Sequence, residues 1–219
     1  MTYDYEDTSD EPTITEQVKP VEQKATLPFR VAKAMQNIVT GKHARHAGDA
    51  LKQVLCESND QGQARYVATN GNVMLIIDTD LPGPCKPAVF TTYKRWNEDG
   101  TVELPGMVQQ VIESKGHAPV VGQDHDCAMY RFPDYKLIGL SGEGSVGQVG
   151  FNSAYLKLID NVNFVLKLGT NAMWSVRFTN DALSPTVWAP RDVGPLTPHE
   201  VDGFNVTSVQ FVIMPVRLG

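Results

Sequence analysis

Long hydrophobic runs are missing from this sequence. No stretch of its 219 residues approaches the roughly 20 apolar positions that a membrane-crossing helix needs. The opening residues are acidic and polar, not basic and then apolar as in a secretory leader. The expectation is a cytoplasmic protein with no membrane partner. Cysteine is also scarce. Cys56, Cys85 and Cys127 are odd in number, widely spaced and not in CxxC pairs, which argues against a disulfide framework or a zinc clamp. An excess of positive charge is lacking too, with 19 Lys and Arg against 25 Asp and Glu. Six of those acids are Asp4, Glu6, Asp7, Asp10, Glu11 and Glu16, so residues 17–219 carry 19 acids (25 minus 6) against 19 bases. A neutral body excludes nucleic-acid binding by uniform charge excess, but it permits a basic face balanced by an acidic one.

Recognisable catalytic machinery is the fourth absence. There is no GxSxG, HExxH or phosphate-loop lysine motif, and carboxylates such as Asp124 and Asp126 form no acid/base pair at a definable spacing. His43 and His46, or His125 and Cys127, lack the further ligands that a metal would need. The run Gly142 to Gly147 does match GxGxxG, with Asp160 near the position of a ribose-binding acid. A dinucleotide fingerprint needs its helix to begin within the glycine turn, whereas Gly150 and Asn152 delay the helix here. A loop is the favoured reading, and a nucleotide-dependent enzyme is the competing one. The expectation is a protein that is not an enzyme, with no catalytic residue, metal or cofactor.

What is present is a regular alternation of strand and helix signals. Residues 1–24 are rich in Asp, Glu, Thr and Pro without apolar periodicity, and read as a disordered acidic tail. Val31, Ala34, Met35 and Ile38 recur at helical spacing from Leu27 to Val39, with Arg30, Lys33 and Asn37 on the opposite stripe. Residues 50–56 read as a strand, or alternatively as an amphipathic helix. Residues 64–78 read as strands around an Asn70-Gly71 hairpin turn, and a further strand is expected over Val89 to Tyr93. Met107, Val108, Val111 and Ile112 predict a second short helix ending at Gly116. A third is predicted from Ser153 to Val162, capped by Asn152 or Ser153, with Leu156, Ile159 and Val162 inward and Lys157 outward.

Four segments carry a more specific signal: Val67 to Gly71, Arg131 to Tyr135 (RFPDY), Leu183 to Pro185 continuing to Pro190, and Met214 to Leu218 (MPVRL). Their sequence, order and spacing resemble the bacterial DNA sliding clamp, the DNA polymerase III beta subunit family. In that family a VATDG turn, an RFPDY segment, an LSPALIRP strand and a VMPMRL ending occur in the same order. The resemblance covers most of residues 26–219 and implies an α+β clamp fold, with antiparallel sheets outside and helices on the inner face. It divides the chain into a clamp domain over 25–138, resembling the family's middle domain, and a shortened one over 139–219, resembling its last. A short divergent member of this kind suits a phage genome.

The resemblance further implies a processivity factor: a ring around duplex DNA that recruits a DNA polymerase through a hydrophobic peptide pocket. Carried over by position, that pocket comprises Leu51, Thr69, Gly71, Met74, Pro133, Ile138, Val212, Met214, Pro215, Val216 and Arg217. Asn72, Val73 and Met74 stand where the family has HRL, which removes a histidine and an arginine from the pocket edge. Arg30, Lys33, Lys42, Arg45, Lys115 and Lys157 are the candidates for sequence-independent phosphate contacts. The implied partners are duplex DNA, a polymerase, a clamp loader and further copies of the chain. Because the family's ring holds six domains, a homotrimer is the simplest closure. The alternative is a clamp-like monomer that captures replication peptides, or competes with a host clamp, without encircling DNA.

Overall fold

The computed structural model describes residues 26–40, 51, 53–85, 87–91, 101–102, 110–111, 117–119, 123–124, 132–138, 140, 149–169, 171–179 and 184–215. The expected tail over 1–24 and the glycine run at 142–147 lie outside them.

The chain opens with β1 (Thr26–Pro28) and α1 (Phe29–Thr40). The meander β2 (Gln53–Ser58), β3 (Gln63–Thr69) and β4 (Val73–Pro82) follows. Then come β5 (Ala88–Thr91), β6 (Thr101–Val102), β7 (Gln110–Val111), β8 (His117–Pro119) and β9 (Gln123–Asp124). After a single 3-10 turn (Tyr135–Leu137) the chain forms α2 (Ser153–Val165), β10 (Trp174–Phe178), β11 (Thr186–Pro190), β12 (His199–Val201) and β13 (Phe204–Ile213).

Nine of these strands make one antiparallel sheet in the order β10-β11-β13-β4-β3-β2-β5-β9, with β12 paired to β13. The β4 to β13 pairing, Val73 opposite Ile213 through Val209 opposite Ile77, runs across the division expected near residue 138 and makes both parts one sheet. Alternation along the strands sorts the side chains to two faces. Val54, Tyr66, Leu75, Ile77, Phe211 and Ile213 face α1 and α2 and form the main core. Leu55, Val67, Met74, Ile76, Val187 and Val212 face the other way and form a second, smaller cluster with Phe132 and Tyr135.

The α+β reading agrees with this architecture of antiparallel strands and two described helices. α1 buries Val31, Ala34, Met35 and Ile38, as their spacing predicts. In α2 the Asn152 side chain accepts from Ala154 N at 3.0 Å, so the expected cap is present. Ile159 and Val162 are buried and Lys157 is exposed. The strand reading of residues 50–56 holds from Gln53, and the helix alternative falls, because pairing with β3 decides what propensity could not. The helix expected over Met107 to Ile112 is corrected at its two described residues. Gln110 and Val111 pair with Val102 and Thr101 as strand, a state that suits β-branched valines lacking a helix cap.

Candidate functional site

The second face is built from three successive rows across the sheet. In the first, Thr69 stands opposite Met74, Met74 opposite Val212, and Val212 opposite Val187. In the next, Leu55, Val67 and Ile76 are aligned. In the third, Glu57 faces Arg65 and Arg65 faces Asp78. Apolar rows therefore give way to a charged one along the same face.

The hairpin turn at the end of the first row is fixed by its side chains. Asn70 Oδ1 accepts from Asn72 N at 3.0 Å and Val73 N at 3.1 Å, an Asx turn, while its Nδ2 donates to Ile38 O at 3.2 Å near the end of α1. Thr69 Oγ1 donates to Val73 O at 2.9 Å and accepts from Gly71 N at 3.1 Å. Gly71 adopts φ +88°, which a residue with a side chain rarely does. A Cβ there would also meet Leu51 Cδ1 at 3.7 Å, so Leu51 lies against the turn. On the other side Met214 N donates to Asn72 O at 2.9 Å, which draws the chain after β13 alongside the turn.

Residues 132–138 and 140 lie over this face as a strap. Phe132 and Tyr135 are buried in the second cluster, and Ile138 and Leu140 pack against it. Asp134 caps the 3-10 turn by accepting from Lys136 N at 3.2 Å. The charged row holds the strap down. The Tyr135 hydroxyl donates to Glu57 Oε1, and Lys136 Nζ donates to Glu57 Oε2 at 3.1 Å. Arg65 forms a two-pronged pair with Asp78, Nε to Oδ1 at 2.7 Å and Nη2 to Oδ2 at 2.9 Å. Burial, followed by the neighbouring Glu57 carboxylate, raises the Tyr135 phenol well above its ordinary value, so it remains a donor.

The structure thus gathers Leu51, Thr69, Gly71, Met74, Val212 and Met214 at one end of the sheet, while Ile138 on the strap packs against the second cluster. Pro133 is exposed between the two buried strap aromatics, and Pro215 follows Met214. Val216 and Arg217 lie outside the described residues. Tyr135 belongs to the RFPDY segment singled out in the sequence, whereas the charged row Glu57, Arg65 and Asp78 beside it went unnoticed there. Only strand register shows that Glu57 and Arg65 are opposite each other.

Of the basic candidates, Arg30, Lys33 and Lys157 are among the described residues. Lys33 and Lys157 are exposed on α1 and α2, with Lys33 Nζ 5.8 Å from the Phe29 ring. Arg30 instead pairs with Asp202 through Nε and donates from Nη1 to Val165 O at 2.9 Å. Lys167 joins the same Asp202 at 2.8 Å. The hydrogen bond from Lys167, and then that from Arg30, hold the Asp202 carboxyl below its usual range. Arg30 therefore ties α1 to the end of α2 and to the β12–β13 turn. Lys42, Arg45 and Lys115 lie outside the described residues. Among the described residues no three of His, Cys, Asp and Glu gather as a metal site would need, and no helix is long and apolar enough to cross a membrane.

No family model matches the chain, and no curated protein sequence matches it. Solved structures do. The DnaN sliding clamp (DNA polymerase III subunit beta) from Pseudomonas aeruginosa, bound to griselimycin, is 16% identical with a TM-score of 0.47, over 95% of this chain and 69% of that one. The beta subunit of DNA polymerase from Streptococcus pyogenes is 11% identical with a TM-score of 0.47, over 87% and 62%. The DNA polymerase III beta subunit from Thermotoga maritima is 13% identical with a TM-score of 0.45, over 95% and 70%.

Proposed function

We propose that this chain is a non-enzymatic sliding-clamp protein of DNA replication, which docks an extended peptide of a DNA polymerase, or of a clamp loader, at the turn end of the second face. One observation carries the reading. Leu51, Thr69, Gly71 and Met74, Val212 and Met214 come from three separate segments and lie at one end of the sheet, and Ile138 packs against the cluster to which Met74 and Val212 belong. They are the positions that the sequence resemblance marks as a pocket. An apolar row beside a rigid turn and a pinned strap suits the aliphatic anchors of a peptide, because little of the receptor has to be ordered on binding. Met214, 38% exposed, adds adaptable surface, with the buried Met74 behind it.

The chain is read as two clamp units, 25–138 and 139–219, joined by the β4–β13 pairing. In the cytoplasm of a bacterium or a phage-infected cell, several copies, three in the simplest closure, would form a ring around duplex DNA. Lys33, Lys42, Arg45, Lys115 and Lys157 would meet phosphates there. The monomeric alternative is favoured by the engagement of Arg30 with Asp202, since α1 and α2 then present Lys33 and Lys157 alongside exposed Asp160 and Phe164. A fluorescein-labelled extended peptide with leucine and phenylalanine anchors tests the pocket. It binds the wild-type chain, and deleting Met214 to Gly219 abolishes binding while the unfolding transition persists. Unchanged affinity after the deletion would overturn the assignment. Sedimentation at several concentrations, with trapping on circular DNA, separates ring from monomer.

A further inference from the structure

Among the described residues, two buried side-chain oxygens have no hydrogen-bond partner, Gln53 Oε1 and Gln63 Oε1. Gln63 sits at the start of β3 beside a register shift. Gln53 sits at the peptide face. It is 6% exposed, and strand alternation places it with Leu55 and Glu57, opposite to Val54 and Cys56 in the helix-facing core. The register of β2 with β3 runs to Val54 opposite Ala68 and, carried one residue further, sets Gln53 beside Thr69 and Leu51 towards Gly71. The Leu51 contact with Gly71 agrees with that continuation. Gln53 therefore extends the row Thr69, Met74, Val212 by one strand.

Its polar neighbour across the row on β3 is already engaged. The Thr69 hydroxyl spends its proton on Val73 O and accepts from Gly71 N. A buried amide oxygen without a donor is uncommon in a folded protein and costs free energy there. Leucine or methionine would fill the same volume without that cost. A polar group kept at such a position gains from a partner that arrives with a ligand, and an extended peptide brings main-chain N–H groups at regular intervals.

We propose that Gln53 Oε1 is a recognition group of the pocket, accepting a main-chain N–H of the docked peptide once Leu51 swings off the turn to admit an anchor side chain. This rests on the peptide-docking reading above. Binding thereby satisfies an oxygen that the free protein leaves unpaired. Gln53 then favours an extended backbone over an apolar side chain alone.

The experiment uses the full chain and the same fluorescein-labelled peptide, together with a set of its analogues, each N-methylated at one backbone position. Gln53→Met should unfold at a higher temperature than wild type and bind the peptide roughly five- to tenfold more weakly, the scale of one neutral hydrogen bond. One N-methyl analogue should lose a similar factor against wild type and nothing further against Gln53→Met. Equal affinity of wild type and Gln53→Met overturns the role of Gln53 and leaves the docking reading standing. A wild-type chain that binds none of the peptides overturns both. Gln53→Leu serves if the methionine variant does not fold, and an N-methyl scan that finds no sensitive position against the wild-type chain overturns the role of Gln53.

Discussion

The two faces of the sheet are made by the same strands and differ in what covers them. On one, α1 and α2 lie over a continuous apolar layer in which Tyr66, Leu75, Ile77, Phe211 and Ile213 are fully buried. On the other, a strap of a few residues covers a smaller cluster, bordered by the charged row Glu57, Arg65 and Asp78 and ending at an open turn. Successive residues of one strand thus serve different ends. Phe211 belongs to the core and Val212 to the proposed docking row. The first face carries most of the stability, which leaves the second free to hold polar groups, an unpaired oxygen and a strap pinned at a few points.

The largest expected effect tests that division directly. Phe211→Ala should cost about 3–5 kcal/mol in denaturant unfolding, the range for removing a buried aromatic, whereas Val212→Ala should cost on the order of 2 kcal/mol. Equal losses would erase the distinction between the faces. Next in size is the strap anchor. Tyr135→Phe should cost about 1.5 kcal/mol, since the hydroxyl bonds a carboxylate, and should speed amide exchange at Ile138. Combined with Glu57→Ala, which removes the acceptor, it should be less than additive, because both remove one bond.

The smallest effect is a slope with pH. Burial pushes the Cys56 thiol from its ordinary 9.0 up to about 12, and Tyr135 is raised as well. Below pH 9 both groups are protonated in the folded and unfolded chains, and their contribution to stability is complete. As pH rises from 9 towards 12 the unfolded chain releases protons that the folded chain keeps, so stability falls. Thermal unfolding between pH 8 and 11 should show the decline. Cys56→Ala should flatten it on the helix face, and Tyr135→Phe should flatten its upper part on the other.

Much of the first face was legible in the sequence because it is made of local signals. The spacing of Val31, Ala34, Met35 and Ile38, the Asn152 cap and the Asn70-Gly71 turn all act within a few residues of themselves. The pocket positions could be gathered only through the resemblance of short tags, since nothing local joins Thr69 to Val212. The polar groups stayed hidden for the same reason. Arg30 looked like a solvent-facing cation, and its partner Asp202 is 172 positions away. Glu57 drew no notice in the sequence, and only the hydrogen bond from Tyr135, 78 positions away, shows its part. Gln53 carried no signal at all, because an unpaired oxygen is a property of packing. Around Gln110 and Val111 a helical spacing was present, and strand pairing overrode it.

The pairing of β4 with β13 also has a consequence during synthesis. Val73 and Ile213 are 140 positions apart (213 minus 73), while β4 already has β3 on its other side from a three-residue turn. At ribosomal rates of roughly 5–20 residues per second, the meander waits on the order of ten seconds or longer with the far edge of β4 unpaired. That edge belongs to the strand Val73–Pro82, seven of whose residues in a row are buried in the finished fold. An unpaired apolar edge is a template for another chain. The nascent protein is therefore most prone to aggregate in that interval, and a chaperone that shields β4 until β13 emerges should raise the yield of folded protein more than one acting after release.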